Sequence, residues 1–343
     1  MLQCFHEFET GNAFFMPDAE SGSMSSAPLA QRIGPPPVFR YPAVGCLRWV
    51  GVRLSLLMFV LLFLFLTPAR SETARPACRL LIPPQKIYPG SVFLAKARCT
   101  GAIASATGTF CERRLAFFSG KKNTVSYAFV GVDLESKPEV YRFKARVELQ
   151  GSKFVEIQES VRVLPKQFPV QKITVAEKYA QPSPEDQKRS AEETKRLESI
   201  WETVSDSPYW DGKFKVPLSS ELTSGFGRRR VVNGQPRSPH SGVDLKAPTG
   251  TPIHAANSGK VVLAEDLFFS GNTVVIDHGL GLYTYYGHCS KLLVQANEMV
   301  KSGQVIGEVG ATGRVTGPHL HWACRLNEAR VNPLDLLALE IAE

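Results

Sequence analysis

"GNTVVIDHGLGLYTYYGH", residues 271–288, sets two runs of β-branched and aromatic residues on either side of a glycine-punctuated turn. Each run ends on a histidine. Val, Ile, Thr and Tyr favour pleated backbone, and glycine marks the turns between strands. "GKVVLA", residues 259–264, is a third run of the same kind. From Trp210 onward glycine is frequent and prolines fall at turns, so residues 208–343 read as a compact β domain. Six of the seven histidines of the 343-residue chain lie in it.

Upstream, "PSPEDQKRSAEETKRLESIWETV", residues 182–204, changes period. Ser183 is a good N-cap, Pro184 suits the first helical position and Asp186 completes a capping-box-like pattern. Leu197, Ile200, Trp201 and Val204 form one apolar stripe at helical spacing, which predicts a helix over about 184–204 with a docking face. About 20 residues of helix span about 30 Å, so this linker, residues 166–207, could hold two domains at a fixed distance.

Residues 79–165 alternate with a period of two. In "YRFKARVEL", residues 141–149, Phe143, Ala145, Val147 and Leu149 share one face, and Arg142, Lys144, Arg146 and Glu148 share the other. That pattern describes half-buried antiparallel strands, and its repetition between turn residues predicts an immunoglobulin-like β-sandwich. The fold class is therefore mainly β: a sandwich, a helical linker and a C-terminal antiparallel β domain.

The first 71 residues are of another kind. "LSLLMFVLLFLFL", residues 54–66, follows Arg48 and Arg53 and precedes "TPARSETA". At 13 residues it matches a signal-peptide core better than a spanning helix, which needs about 20. Cleavage after Ser71 is expected, with a retained signal anchor as the alternative, and both imply export to the periplasm or cell envelope. Met24 is an alternative start, and residues 1–47, rich in Gly, Pro and Ser, read as disordered or unexpressed. No lipobox-like cysteine follows the apolar run. The net charge of +8 would suit an anionic partner, but Arg32, Arg40, Arg48 and Arg53 place part of the excess in this leader. No basic run is interleaved with aromatics, so nothing points to nucleic-acid binding.

Seven cysteines are present, two of them, Cys4 and Cys46, in or before the leader. Of the remaining five, Cys99 and Cys111 bracket a short segment between strand-like runs and are expected to bridge. Cys78 has no evident partner.

The histidine spacings carry the chemistry. His240 and Asp244 in "HSGVDL" lie four apart, and His319 and His321 in "GPHLHWAC" lie two apart. Even offsets place each pair on one face of an extended chain. His288 ends its strand. Two imidazoles and one carboxylate could hold a mononuclear zinc with a fourth position open, the arrangement of a catalytic site. Amide hydrolysis needs a base and an acid as well, and the surplus histidines titrate in the required range. His254 and His278 read instead as ordinary packed residues.

"GFGRR", "HSGVDLKAPTGTPIHAANSGKVV", "GNTVVIDHGLGLYTYYGH", "VKSGQVIGEVGATGRVTGPHLHW" and "VNPL" together resemble the successive blocks of the M23 (lysostaphin/LytM-like) zinc peptidoglycan endopeptidases, over about residues 208–335. The resemblance implies one zinc per chain held by His240, Asp244 and His321, with His288 and His319 as the catalytic pair. It implies hydrolysis of peptide cross-links in bacterial peptidoglycan during cell-wall remodelling. The alternative is a non-catalytic LytM-type cell-wall binding protein or amidase activator, which would bind zinc without turnover. Tyr283, Tyr285 and Arg228 are candidates for the substrate groove wall. The glycine-rich segments around 225–227 and 310–317 would let backbone approach an extended peptide. Cys289 and Cys324 stand at odd offsets from His288 and His321, so both thiols are expected to face away from the metal, as core thiols or as a bridge. The sandwich is a candidate surface for envelope protein partners, and membrane contact is expected only through a retained anchor.

Overall fold

The computed structural model describes residues 77–339 except 152. The leader, and with it the expected signal sequence, alternative start and export, lies outside the described residues. Among the described residues, no helix is long and apolar enough to cross a membrane.

The sandwich forms as its alternation requires. One sheet orders β1 (Cys78–Leu81), β2 (Val92–Cys99), β6 (Val125–Gly131) and β5 (Phe118–Ser119). The other orders β4 (Arg113–Ala116), β3 (Ile103–Phe110), β7 (Val140–Leu149) and β8 (Lys153–Arg162). Phe143, Ala145, Val147 and Leu149 are buried while Arg142, Lys144 and Arg146 are exposed. Phe93, Phe110 and Phe143 fill the space between the sheets.

The disulfide differs from the sequence expectation. Cys78 and Cys99 stand opposite each other in the β1–β2 register and are bonded, while Cys111 is free. Cys111 and Glu112 occupy the two-residue turn between β3 and β4, with φ of 48° and 63°. This is the left-handed geometry that tight hairpins select, and it carries Cys111 to a hairpin tip away from Cys99.

The C-terminal domain is built on one sheet whose main path runs β10 (Glu221–Ser224), β13 (Gly242–Lys246), β20 (His319–Leu326), β17 (Leu282–Leu292), β16 (Gly271–Asp277), β15 (Gly259–Leu267) and β18 (Met299–Val300). Off this path, β14 (Pro252–His254) pairs with β19 (Val305–Val309), β19 also joins β17, and β21 (Ala329–Val331) pairs with β20. A short helix, α3 (Pro333–Leu337), follows, N-capped by Asn332.

The linker is not a strut. Its first part forms β9 (Val170–Ile173), which pairs in parallel with β11 (Arg229–Val232), itself paired with β12 (Gln235–Arg237). After a single turn, α1 (Glu177–Ala180), comes α2 (Pro184–Glu202), where Ser183 Oγ accepts from the Asp186 N–H at 3.1 Å. Leu197, Ile200 and Trp201 lie against Leu263, Leu267, Val275 and Tyr283 of the main sheet. Val204 falls past the helix end and is exposed. Glu193, buried on the same helix, accepts from the Phe268 N–H at 2.8 Å and pairs with Arg189 at 2.7 Å. A helix so anchored along its side cannot space two domains.

Instead the two domains touch directly. Val92 and Phe129 of the sandwich are buried in the same core as Phe214, Leu326 and Val331, with Trp210 packed edge-on against Phe118 and Phe129. Arg330 forks onto Asp133 at 2.6 Å and 3.1 Å and reaches Glu135 at 2.6 Å. Strand β6 is therefore covered on both faces, which explains its nearly unbroken apolar run.

Candidate metal and catalytic site

Three strands assemble the site. Asp244 on β13 stands directly opposite His321 on the neighbouring β20, and Gly287 of β17 stands opposite His321 on the other side. His240, just before β13, turns its ring onto this pair. His240 Nε2 lies 3.0 Å from Asp244 Oδ1 and 3.0 Å from His321 Nδ1, and His321 Nδ1 lies 2.9 Å from Asp244 Oδ1. The three donor atoms form a near-equilateral triangle.

Tautomers decide what that triangle is for. His240 Nδ1 sits 3.1 Å from the Gly225 carbonyl, which can only accept, so Nδ1 carries the proton and Nε2 presents a lone pair. That lone pair faces a carboxylate oxygen. Two acceptors at 3.0 Å repel each other unless a cation lies between them. A tetrahedral ion with ligand bonds of about 2.0 Å separates its donors by about 3.3 Å, close to the observed edges. The backbone carbonyl behind His240 is the usual second partner of a metal-bound imidazole. The donor set thus fits a small divalent metal.

Electrostatics agree. Burial pushes His240 down to about 4, so it is neutral at pH 7. Arg230 Nη2 takes the other oxygen, Asp244 Oδ2, at 3.2 Å.

His288 and His319 stand beside the triangle as a second pair, with ring centroids 4.9 Å apart, and His288 lies 5.9 Å from His321. His288 Nδ1 donates to the Thr312 carbonyl and His319 Nδ1 donates to the Gly317 carbonyl, both at 2.8 Å. Each therefore keeps a free Nε2. Burial, then the neighbouring charges of His321 and His319, drives the His288 pKa well below the ordinary imidazole value. His319 Nε2 lies 3.7 Å from Asp244 Oδ1.

The backbone at His288 is left-handed, φ 67°. Tyr285 of the same strand lines the groove, whereas Tyr286 is in the core, so in regular strand His288 would share the core side with Tyr286. The local twist turns its ring to the groove and sends Cys289 into the core. A non-glycine residue held there costs about 1–3 kcal/mol and marks strained functional positions. Cys324 is likewise in the core, and both thiols are free. They face away from the metal triangle and do not bridge.

A groove of about 300 Å³ runs past these residues. Tyr285 lines it, edge-on to His321. Two other candidates for its wall are elsewhere. Tyr283 is 1 % exposed beneath Trp201, its hydroxyl donating to the Thr203 carbonyl, because α2 covers that part of the sheet. Arg228 is not in the groove; Arg230, two residues on, is. The glycine-rich segments hold the histidines through the Gly225, Thr312 and Gly317 carbonyls. His278 is a packed core residue, bonded to the Ser258 carbonyl and Thr284 Oγ1, and His254 has only the Pro217 carbonyl at 3.4 Å. The sequence reading missed Arg314, Arg325 and the helix wall made by Leu197 and Trp201. Arg325 was within reach of the strand argument, being four residues from His321 on one strand.

The chain is similar to known proteins over this domain and beyond it. Residues 238–333 match the model of peptidase family M23. The chain is 40% identical over 123 residues to the peptidoglycan DD-endopeptidase ShyA of Vibrio cholerae, covering 36% of this chain and 29% of that one. It is 44% identical over 127 residues to a metalloprotease of Haemophilus influenzae, covering 36% of this chain and 26% of that one. The alignments thus span less than a third of the length of these curated relatives. A crystal structure of a Pseudomonas aeruginosa protein assigned to peptidase M23 covers far more: 74% of this chain and 96% of that one, at 31% identity and a TM-score of 0.58. At 31% identity over nearly the whole of that protein, and with residues 238–333 matching the family model, the chain belongs to peptidase family M23.

Proposed function

We propose that this protein is a zinc-dependent endopeptidase that cleaves peptide cross-links of bacterial peptidoglycan in cell-wall remodelling, and that it is exported to do so. The observation that carries the reading is the triangle of bare donor atoms on His240, Asp244 and His321 with two further histidines beside it. The activity named for the aligned relatives supports it, and the apolar run at 54–66 supports export.

Zinc would be held by His240 Nε2, Asp244 Oδ1 and His321 Nδ1, where it supplies a Lewis acid for the scissile carbonyl and acidifies water. The chain's own residues do the rest. His288 is neutral and offers a lone pair at Nε2, so it can take a proton from the attacking water. An imidazole that has gained that proton becomes a donor, to the developing oxyanion or to the departing amine. His288 and His319 have equivalent free Nε2 atoms and can divide these two tasks. Their Nδ1 protons stay on the Thr312 and Gly317 carbonyls, which keeps both rings oriented through the cycle. The carbon–nitrogen bond breaks, the nitrogen takes the proton and the carbonyl carbon keeps the water oxygen.

The test is digestion of purified cross-linked peptidoglycan by the full chain. Release of monomeric muropeptides, abolished by a chelator and restored by zinc, is the expected result. Intact cross-links with zinc bound would reject the enzyme and favour a binding or activating protein.

A further inference from the structure

Three guanidiniums wall the groove: Arg230, Arg314 and Arg325. Among them only Arg230 pairs with a carboxylate among the described residues. Arg230 is committed to Asp244, and Arg325 lies over the Trp201 ring at 5.8 Å and reaches the Glu328 carbonyl. Arg314 is the one carried by the loop that holds His288. It is half-buried, stacked 4.5 Å from the centroid of Phe269, and pairs with no carboxylate among the described residues. Burial, with the like charges of Arg230 and Arg237, pushes it down to about 10. A half-desolvated cation without a counter-charge is costly to keep, and a planar guanidinium is the side chain best matched to a carboxylate.

Its position is fixed. The Arg314 N–H donates to the Phe269 carbonyl at 2.7 Å. Gly313, at φ 74°, lies so close to the 269–271 turn that a Cβ on it would stand 2.4 Å from the Gly271 nitrogen. Thr312 Oγ1 accepts from the Asn272 N–H at 3.0 Å and donates to the Cys289 carbonyl at 2.9 Å. The Thr312 carbonyl is the one that holds His288. One rigid loop therefore sets both the free Nε2 of His288 and, two residues on, an unpaired cation.

We propose that Arg314 recognises a free carboxylate of the substrate beside the scissile amide, and so selects cross-links whose leaving amine sits on a carboxylate-bearing carbon. A cross-link to diaminopimelate has such a carboxylate. A bond inside a glycine bridge has none. The proposal rests on the endopeptidase reading and adds to it a residue that chooses the bond.

The experiment compares two cross-linked muropeptide dimers that differ only in whether the diaminopimelate carboxylate at the scissile amide is free or amidated, using the full chain loaded with zinc. The wild type is expected to favour the free acid by about tenfold or more in kcat/KM, the scale of one charge-assisted pair. Arg314→Ala should bring that ratio toward one, chiefly by raising KM for the free acid, and Arg314→Lys should restore part of it; zinc content should stay unchanged. Equal cleavage of both dimers by the wild type overturns the proposal and leaves the endopeptidase reading standing. A uniform loss on both dimers in Arg314→Ala also overturns it, as a structural effect. Cleavage of neither dimer overturns both readings.

Discussion

A Cβ placed on Gly242 would lie 2.8 Å from His321 Cε1 and 2.5 Å from the Trp322 carbonyl oxygen. Strands β13 and β20 are pressed together at this point, two pairs along from the Asp244–His321 match. Gly242→Ala is therefore expected to push β20 and the His321 ring away from the metal triangle without removing a ligand. Overpacking of this kind costs about 1–3 kcal/mol. Disturbed support of a ligand typically weakens metal binding about 10–100-fold. Urea unfolding and competitive zinc titration measure the two effects, and an unchanged zinc affinity would show that the close approach is incidental.

Trp201 is the largest anchor of α2, buried at 7 % exposure and edge-on to Tyr283 with centroids 5.2 Å apart. Trp201→Ala should destabilise the protein by about 3 kcal/mol, near the lower end of the range for such truncations. Hydrogen exchange should report the change first in α2, since the helix has one docked face. The groove loses a wall with it, so substrate affinity is expected to fall together with stability.

The pH dependence has a defined sign at the domain interface. Burial would raise the Asp133 carboxyl from its ordinary 3.8, but the hydrogen bonds and charge of Arg330 outweigh it and hold it at about 2. The folded value lies below the unfolded one, so the stabilisation is complete above about pH 4 and is lost as pH falls toward 2. A shift of this size corresponds to about 2 kcal/mol. The stability gap between wild type and Asp133→Asn should close over that window in denaturant melts. A gap that stays constant from pH 5 to pH 2 would mean that Asp133 does not titrate against Arg330.

The period-two alternation of "YRFKARVEL" and the β-branched runs around residue 274 carried both domains, because burial on one face leaves a direct imprint on sequence. The N-cap at Ser183 and the stripe through Trp201 fixed the helix for the same local reasons. The even offset of His319 and His321 matches the way β20 presents its side chains, whereas His240 reaches Asp244 from just before β13. What escaped depends on contacts between distant segments. The parallel pairing of β9 with β11 leaves no mark on either strand alone, and neither does the sandwich packing directly on the second domain. Cys78 finds Cys99 through strand register, which spacing does not encode. Arg314 lies in a loop without regular period, and Arg230 in a strand of four residues, too short for alternation to say which way its side chain turns. His288 reached the groove through a left-handed backbone that no residue type there announces.

The most direct test of the account separates holding the metal from working on the substrate. Zinc content and cross-link hydrolysis are measured side by side for the wild type, His319→Ala and His240→Ala. His319→Ala is expected to keep its zinc and lose activity by about 10²–10⁴-fold, the usual contribution of an acid–base group. His240→Ala is expected to lose both. Full turnover in His319→Ala, or hydrolysis by a zinc-free His240→Ala, would contradict the division of the site into a metal triangle and a catalytic pair.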